Sequence, residues 1–148
     1  DHPQIQVVSR LVEGEYPDYQ GIIPQKHEAQ VVLVKNDFLG QVKTASLFSG
    51  KNNEVQIRLN SKKEGIEILS QNPDLGENKS FLPAKITYGQ EKNQEMAVNF
   101  NYRFLVDGLL NIKSPKVIFE LNGEDGPAVL KPVEDTTYVY VVMPIKTT

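Results

Sequence analysis

Two histidines, a few carboxylates and a scatter of serines and glycines are the residues from which chemistry could be built. His2 and His27 each stand alone, with no cysteine in the chain and no second histidine at ligand spacing, so a metal site has no ligand set. Glu134 and Asp135 are the residue types of an acid/base pair, but they follow Pro132 in a turn-like stretch, where solvated charge explains them at least as well. Gly14, Gly21, Gly40 and Gly50 stand singly and make no phosphate-cradling loop. Ser9, Ser46, Ser49 and Ser70 lack the strand-to-helix elbow that exposes a nucleophile. No catalytic constellation assembles. The expectation is a protein that is not an enzyme and uses neither cofactor nor metal, and a small hydrolase reading lacks both nucleophile and base.

The cations point less sharply. Lys35, Lys43, Lys51, Arg103 and Lys113 lie near predicted helices and loops. On one surface they would make weak, sequence-blind phosphate contacts; as a solubilising helix face they would do no more than keep the chain in solution. With 16 Lys and Arg against 19 Asp and Glu, the net charge of -3 excludes a general nucleic-acid binder but not a local basic face. No stretch approaches the roughly 18 apolar residues of a membrane span, and no charged-then-apolar leader opens the chain. Together with the absence of cysteine, this sets the expectation of a cytoplasmic protein with no membrane partner. A length of 148 residues at 39% hydrophobic suits one domain with a real core. The first residue is Asp1 rather than methionine, as in a processed product or a piece of a longer chain.

The element that must position any site is the last strand, Tyr138-Val139-Tyr140-Val141-Val142-Met143-Pro144-Ile145. Both of its faces are apolar, so one packs on the core and the other needs a cover or a ligand. Pro144 cannot donate a ladder hydrogen bond, so pairing should end there and leave an exposed apolar lip. A second unusual stretch runs from Glu13 through Tyr16-Pro17-Asp18-Tyr19 to Pro24, with Pro17 favouring extended geometry before it and Asp18 a turn. The two stretches are expected to meet and form a groove.

Taken in order, Ile5 to Val12 reads as a strand ended by Gly14, and Glu28 to Val34 as another. Asn36 or Asp37 caps a helix that Gly50 stops near Ser49. Strands at Val55–Leu59 and Gly65–Leu69 flank a polar turn; a third, from Asn78 to about Ile86, is weakened by Pro83, and Gly89 to Gln94 is a loop. The order then repeats: strand Met96–Phe100, helix Asn101–Ile112, strands Val117–Leu121, Ala128–Pro132 and Thr137–Met143. Phe38-Leu39 matches Phe104-Leu105 at an offset of 66, Val55-x-Ile57-x-Leu59 matches Val117-x-Phe119-x-Leu121 at 62, and Gly65 matches Gly126 at 61. An internal duplication follows. Two helices on one side of antiparallel sheet make an α+β fold of two strand-helix-strand-strand-strand repeats. In the first helix Phe38, Leu39, Val42, Ala45 and Ser49 share the core flank, while Leu47 and Phe48 fall off it, which suggests a protein contact. In the second, Leu105, Leu109 and Ile112 face in, and Arg103, Asp107 and Asn111 face out.

The Ser9-to-Tyr19 stretch, joined to a Tyr140-Val141-Val142-Met143-Pro144-Ile145 terminus, resembles the bacterial DNA polymerase sliding clamp, specifically its C-terminal domain. The resemblance covers nearly the whole chain. It implies residues 1–24 as the last strand of a preceding clamp domain with its connector, and 25–148 as the C-terminal domain. It implies a non-enzymatic processivity factor whose subunits close head-to-tail into a dimeric ring around duplex DNA, independent of sequence. It further implies a hydrophobic pocket that takes short linear peptides, commonly Gln-Leu-x-Leu-Phe, from polymerase subunits, clamp-loader subunits and repair proteins. Carried over, the pocket residues are Pro17, Gln20, Gly21, Ile22, Ala128, Val141, Met143, Pro144, Ile145 and Lys146. A flexible methionine among aliphatic walls suits varied partners. Gly21 replaces a frequent arginine, Ile145-Lys146 replaces a common Met-Arg, and Thr147-Thr148 extends the tail, so peptide preference is expected to differ. The family's other pocket wall lies in its middle domain, and this piece alone is expected to bind weakly. The same resemblance places Leu47 and Phe48, with the edge strand Asn78-Lys79-Ser80-Phe81-Leu82, at the subunit interface, and Lys43, Lys51, Arg103 and Lys113 toward DNA. The competing reading is a stand-alone β-rich ligand- or carbohydrate-binding module, with Tyr16, Tyr19, Tyr138 and Tyr140 as a stacking platform.

Overall fold

The structure is a computed structural model describing residues 4–89 and 95–146. His2, most of the polar loop before Met96, and Thr147-Thr148 lie outside the described residues. The elements are β1 (Ala29–Val34), α1 (Lys35–Ser46), β2 (Glu54–Asn60), β3 (Gly65–Asn72), β4 (Gly76–Pro83), β5 (Lys85–Tyr88), β6 (Ala97–Asn101), α2 (Tyr102–Asn111), β7 (Lys116–Leu121), β8 (Ala128–Pro132) and β9 (Tyr140–Val142).

The antiparallel strands form two sheets rather than one, ordered β5-β1-β7-β8-β9 and β4-β3-β2-β6. In β2, Val55, Ile57 and Leu59 are buried between half-exposed polar residues, the period-two signature of a strand with one face on the core. The helices pack on each other, with α1 also against β1 to β4 and α2 against β6 and β9. Phe38 of α1, Phe100 of β6 and Phe119 of β7 are fully buried. Their rings meet at centroid distances of 5.7 Å (Phe38 to Phe119) and 5.6 Å (Phe100 to Phe119).

The duplication is visible in the strand register. Ile57 lies opposite Ile68 and Phe119 opposite Leu130, so β2-β3 and β7-β8 are equivalent hairpins. Val31 of β1 lies opposite Phe119 and Val98 of β6 opposite Ile57: each unit lends its first strand to the other unit's sheet. Even the helix starts agree, Lys35 N–H donating to Pro115 O at 2.9 Å and Tyr102 N–H to Asn53 O at 2.9 Å. This exchange of strands makes the two units one folding body.

Several expectations need correction. The helices align one residue away from the Phe38–Phe104 match: buried Phe38, Val42 and Ala45 correspond to buried Leu105, Leu109 and Ile112, while Phe104 is exposed. The sequence pair Phe-Leu was a coincidence that burial overrides. The Asn78-to-Ile86 strand is two strands in different sheets, because β3 begins at Gly65 opposite Pro83 and offers β4 no further partner: Ala84 N–H makes one last bond, to Glu64 O, and from Lys85 the chain pairs with β1 instead. Helix α1 ends at Ser46, short of Gly50, and begins without a side-chain cap. Its partner α2 has one, Asn101 accepting the Arg103 N–H. Ile5 to Val12 forms no strand and is exposed throughout; a strand needs an edge to bond to, and no ladder among the described residues includes this segment.

Candidate functional site

The last strand is short because its ladder is short: Leu130, Val129 and Ala128 of β8 face Tyr140, Val141 and Val142. Tyr138 and Tyr140 pack half-buried against the core. Gly108 of α2 has no side chain to obstruct this; a Cβ there would meet the Tyr140 ring at 2.6 Å. Burial raises both phenols above 10.0, with Asp107 adding to Tyr140. Because the unfolded chain loses these protons first, stability is intact below pH 10 and falls as pH rises beyond it. Tyr138→Phe with Tyr140→Phe should flatten that alkaline loss in denaturant titrations above pH 10, and an unchanged slope would refute burial as its cause.

Past Val142 the chain does something the sequence did not predict. Met143 stays exposed, but Pro144 is buried, and Ile145 N–H donates to Asn99 O of β6 at 2.8 Å. Pairing with β8 ends before Pro144, as expected. The exposed lip is corrected, however, to a bridge from one sheet to the other, because Ile145 regains the donor that Pro144 lacks. Val141 and Ile145 are half-buried, Ala128 buried and Lys146 exposed. The other stretch is a tight local turn: Asp18 Oδ1 accepts the Gly21 N–H at 3.2 Å, Tyr19 N–H reaches Pro17 O at 2.8 Å, and Ile22 N–H reaches Tyr19 O at 3.1 Å. Pro17, Gln20, Gly21 and Ile22 are exposed. No hydrogen bond among the described residues ties this turn to β9 or the tail. The strand pair and tail are thus brought together, and the turn is not fastened to them. Surface hollows include one of about 900 Å³ beside Val34, Pro83, Ile86 and Tyr88, one of about 460 Å³ beside Ile112, Pro132 and Tyr138, and one of about 440 Å³ beside Lys51, Gln56 and Asn99.

The four tyrosines form no common platform: Tyr16 and Tyr19 are exposed and meet edge-to-face at 6.2 Å, while Tyr138 and Tyr140 serve the core. Leu47 is exposed just past α1, Phe48 half-buried. Strand β4 is a sheet edge, with Lys79 and Phe81 outward and Asn78 and Ser80 half-buried. Asn78 Oδ1 and Ser80 Oγ are buried without a hydrogen-bond partner, and an edge strand carries a row of unpaired backbone groups. Leu82, the last of the five, turns its side chain into the core.

Lys43, Lys51, Arg103 and Lys113 are all exposed. Lys35 is not free, since its Nζ donates to Ile112 O at 2.8 Å and closes the end of α2. Glu134 and Asp135 belong to a turn: Asp135 accepts from Thr137 Oγ1 at 2.6 Å and Thr137 N at 2.8 Å, bonds that hold its carboxyl below the usual range. Sequence reasoning missed Glu120, buried on β7, paired with Lys131 at 2.8 Å and 3.7 Å from His27 Nδ1. Its signal was a carboxylate inside the apolar run Lys116–Leu121 with Lys131 on the next strand. Among the described residues no three His, Cys, Asp or Glu gather to hold a metal ion, and no helix is long and apolar enough to cross a membrane.

Two strand-exchanged repeats with paired helices against antiparallel sheets define the class: a clamp-like α+β domain. The family model described as DNA polymerase III beta subunit, C-terminal domain, matches residues 20–146, and the chain belongs to that family. It is 29% identical over 143 residues to the beta sliding clamp of Staphylococcus epidermidis, covering 97% of this chain and 37% of that protein. To the Staphylococcus aureus beta sliding clamp it is 27% identical over 143 residues, again 97% and 37%. The solved sliding clamp of Bacillus subtilis superposes with a TM-score of 0.85 at 27% identity, over 95% of this chain and 36% of that one. The beta subunit of Pseudomonas aeruginosa shares the fold, with a TM-score of 0.84 at 23% identity over 94% of this chain and 37% of that one. The chain spans a little over a third of the length of the curated relatives it matches.

Proposed function

We propose that this chain is the C-terminal part of a DNA replication processivity clamp. In this reading residues 1–24 are the end and connector of a preceding clamp domain, and 25–148 are the C-terminal domain of a cytoplasmic, non-enzymatic ring that encircles duplex DNA. Its contacts with DNA are sequence-independent and come from exposed cations such as Lys43, Lys51, Arg103 and Lys113. The ring closes head-to-tail through Leu47, Phe48 and the outer side of β4. Polymerase and clamp-loader subunits dock short peptides against Ala128, Val141, Met143, Pro144, Ile145 and Lys146, with the Pro17–Ile22 turn as the adjoining wall. The observation that carries the reading is the family match over residues 20–146. The apolar residues flanking β9, Val139 and Met143, are exposed, which is consistent with a surface that waits for a cover. The core role of Tyr138 and Tyr140 disfavours a stacking platform for carbohydrate.

The test is a backbone NMR titration of this chain with a Gln-Leu-x-Leu-Phe peptide. Shifts are expected to concentrate at Ile22, Val141, Met143 and Ile145, with a dissociation constant of roughly millimolar, worth about 4 kcal/mol. Shifts scattered over β2 to β5 would sink the groove. If the chain is silent, the same titration on a protein with the preceding domain attached decides between a missing wall and a wrong reading.

A further inference from the structure

The two sheets differ by one strand, and the duplication says where the missing one belongs. Sheet β5-β1-β7-β8-β9 has five strands and sheet β4-β3-β2-β6 has four. Under the repeat, β1 corresponds to β6, and β4 to β9. Leu82 faces Ile66 as Val142 faces Ala128, and Ile66 and Ala128 are equivalent through the hairpin register. One step further along the chain, Pro83 corresponds to Met143, Ala84 to Pro144 and Lys85 to Ile145. Lys85 opens β5 and pairs with Val32 of β1. The residue of β6 equivalent to Val32 is Asn99, and Asn99 O is the group that accepts the Ile145 N–H at 2.8 Å.

We infer that Ile145 and Lys146 are the counterpart of β5, a fifth strand laid on the β6 edge, and that this strand positions the proposed peptide wall. The inference rests on the docking reading only for its second half. Alternation along β6 supports the first half. Met96 O accepts the Leu59 N–H, so the groups of residues 96, 98 and 100 turn toward β2 and those of 97 and 99 turn outward, toward the tail.

The wall is therefore held at both ends. Val142 is fixed by Ala128 in one sheet, Ile145 by Asn99 in the other, and Met143-Pro144 spans the gap. A span pinned at two points keeps Met143 presented to solvent without the entropy loss a free tail would suffer on binding. Ile145 thereby acts as a positioning residue through its backbone as well as a wall residue through its side chain.

Amide hydrogen exchange tests the strand and needs no peptide. Ile145 N–H points at β6 and Lys146 N–H points away, so Ile145 should exchange at least about tenfold more slowly than Lys146, as Lys85 should relative to Ile86. Equal rates at Ile145 and Lys146 would overturn the fifth strand. The positioning role is read from two variants titrated with the same peptide. Ile145→Ala removes the side chain and keeps the donor, whereas Ile145→Pro removes the donor as well. The proline variant should bind at least about fivefold more weakly than the alanine variant, the scale of one hydrogen bond. Equal weakening would overturn the positioning role. A wild-type chain that ignores the peptide even with the preceding domain attached would overturn the docking reading, and the exchange contrast would still decide the strand.

Discussion

Phe119→Ala is expected to cost about 3–5 kcal/mol of folding free energy, the scale of deleting a fully buried ring and leaving its cavity. The position sets this cost as much as the residue type. Phe119 is fully buried and its ring touches those of Phe38 and Phe100, so it joins the α1 side of the first unit to the strand that the second unit lends to the other sheet. Its backbone also lies between Val31 and Leu130, in the middle of its sheet, where neighbours cannot collapse into the void without breaking two ladders. Aromatic pairs in tilted contact add about 0.5–1.5 kcal/mol beyond area, and both pairs vanish together. Urea unfolding should show a midpoint lowered in proportion, with the slope unchanged if the chain remains two-state. A loss below about 1.5 kcal/mol would mean that the core relaxes around this site, and that the strand exchange does not bind the units as tightly as the register implies. Phe104→Ala is the control. Its ring is half exposed, and the change should cost less than about 1 kcal/mol, although the Phe-Leu sequence match pairs it with Phe38.

The contrast between Phe104 and Phe38 shows how far sequence patterning reaches. Alternation recovered β2 and β7, because Val55, Ile57 and Leu59 and their counterparts Val117, Phe119 and Leu121 are all buried. Helix periodicity recovered the buried faces of α1 and α2. Patterning failed where the deciding partner is remote in the chain. The division into two sheets depends on each unit giving its first strand to the other, which no local window contains. The tail at Ile145 was misread for the same reason, since Asn99 lies far upstream. Ile5 to Val12 alternates well enough to be a strand, yet alternation supplies a face and not an edge to bond to. For the candidate site, the residue types of the wall were legible, and its two-point attachment was not. The Lys35 side chain was read among the free cations, although its reach to Ile112 O is a tertiary fact invisible to charge counting.

Gly65→Ala is expected to destabilise the chain by about 1–3 kcal/mol through overpacking, and to disturb the edge strand more than the core. Gly65 is the first residue of β3 and lies opposite Pro83. A Cβ at this point would run into Leu82 O and meet the Phe81 ring at 2.5 Å. The two obstacles differ in kind. Phe81 is partly exposed and its ring can swing away at small cost. Leu82 O is backbone, held where β4 turns toward Ala84, so relieving that clash means moving β4 off β3. The double variant Gly65→Ala with Phe81→Ala therefore separates them, since the ring's removal should recover only part of the loss. Full recovery would show that the ring was the sole obstacle and that β4 has room to move. The same displacement should register at the proposed ring-closing edge. Amides from Asn78 to Leu82 should exchange faster in Gly65→Ala, while those of β7 and β8, in the other sheet, keep their protection. Leu82 contributes to the core from this edge and β4 also packs on α1, so a shift of β4 passes inward through Leu82 and through the contact with α1, not through the other sheet. A variant that lost protection equally in both sheets would contradict the separation of the edge from the core.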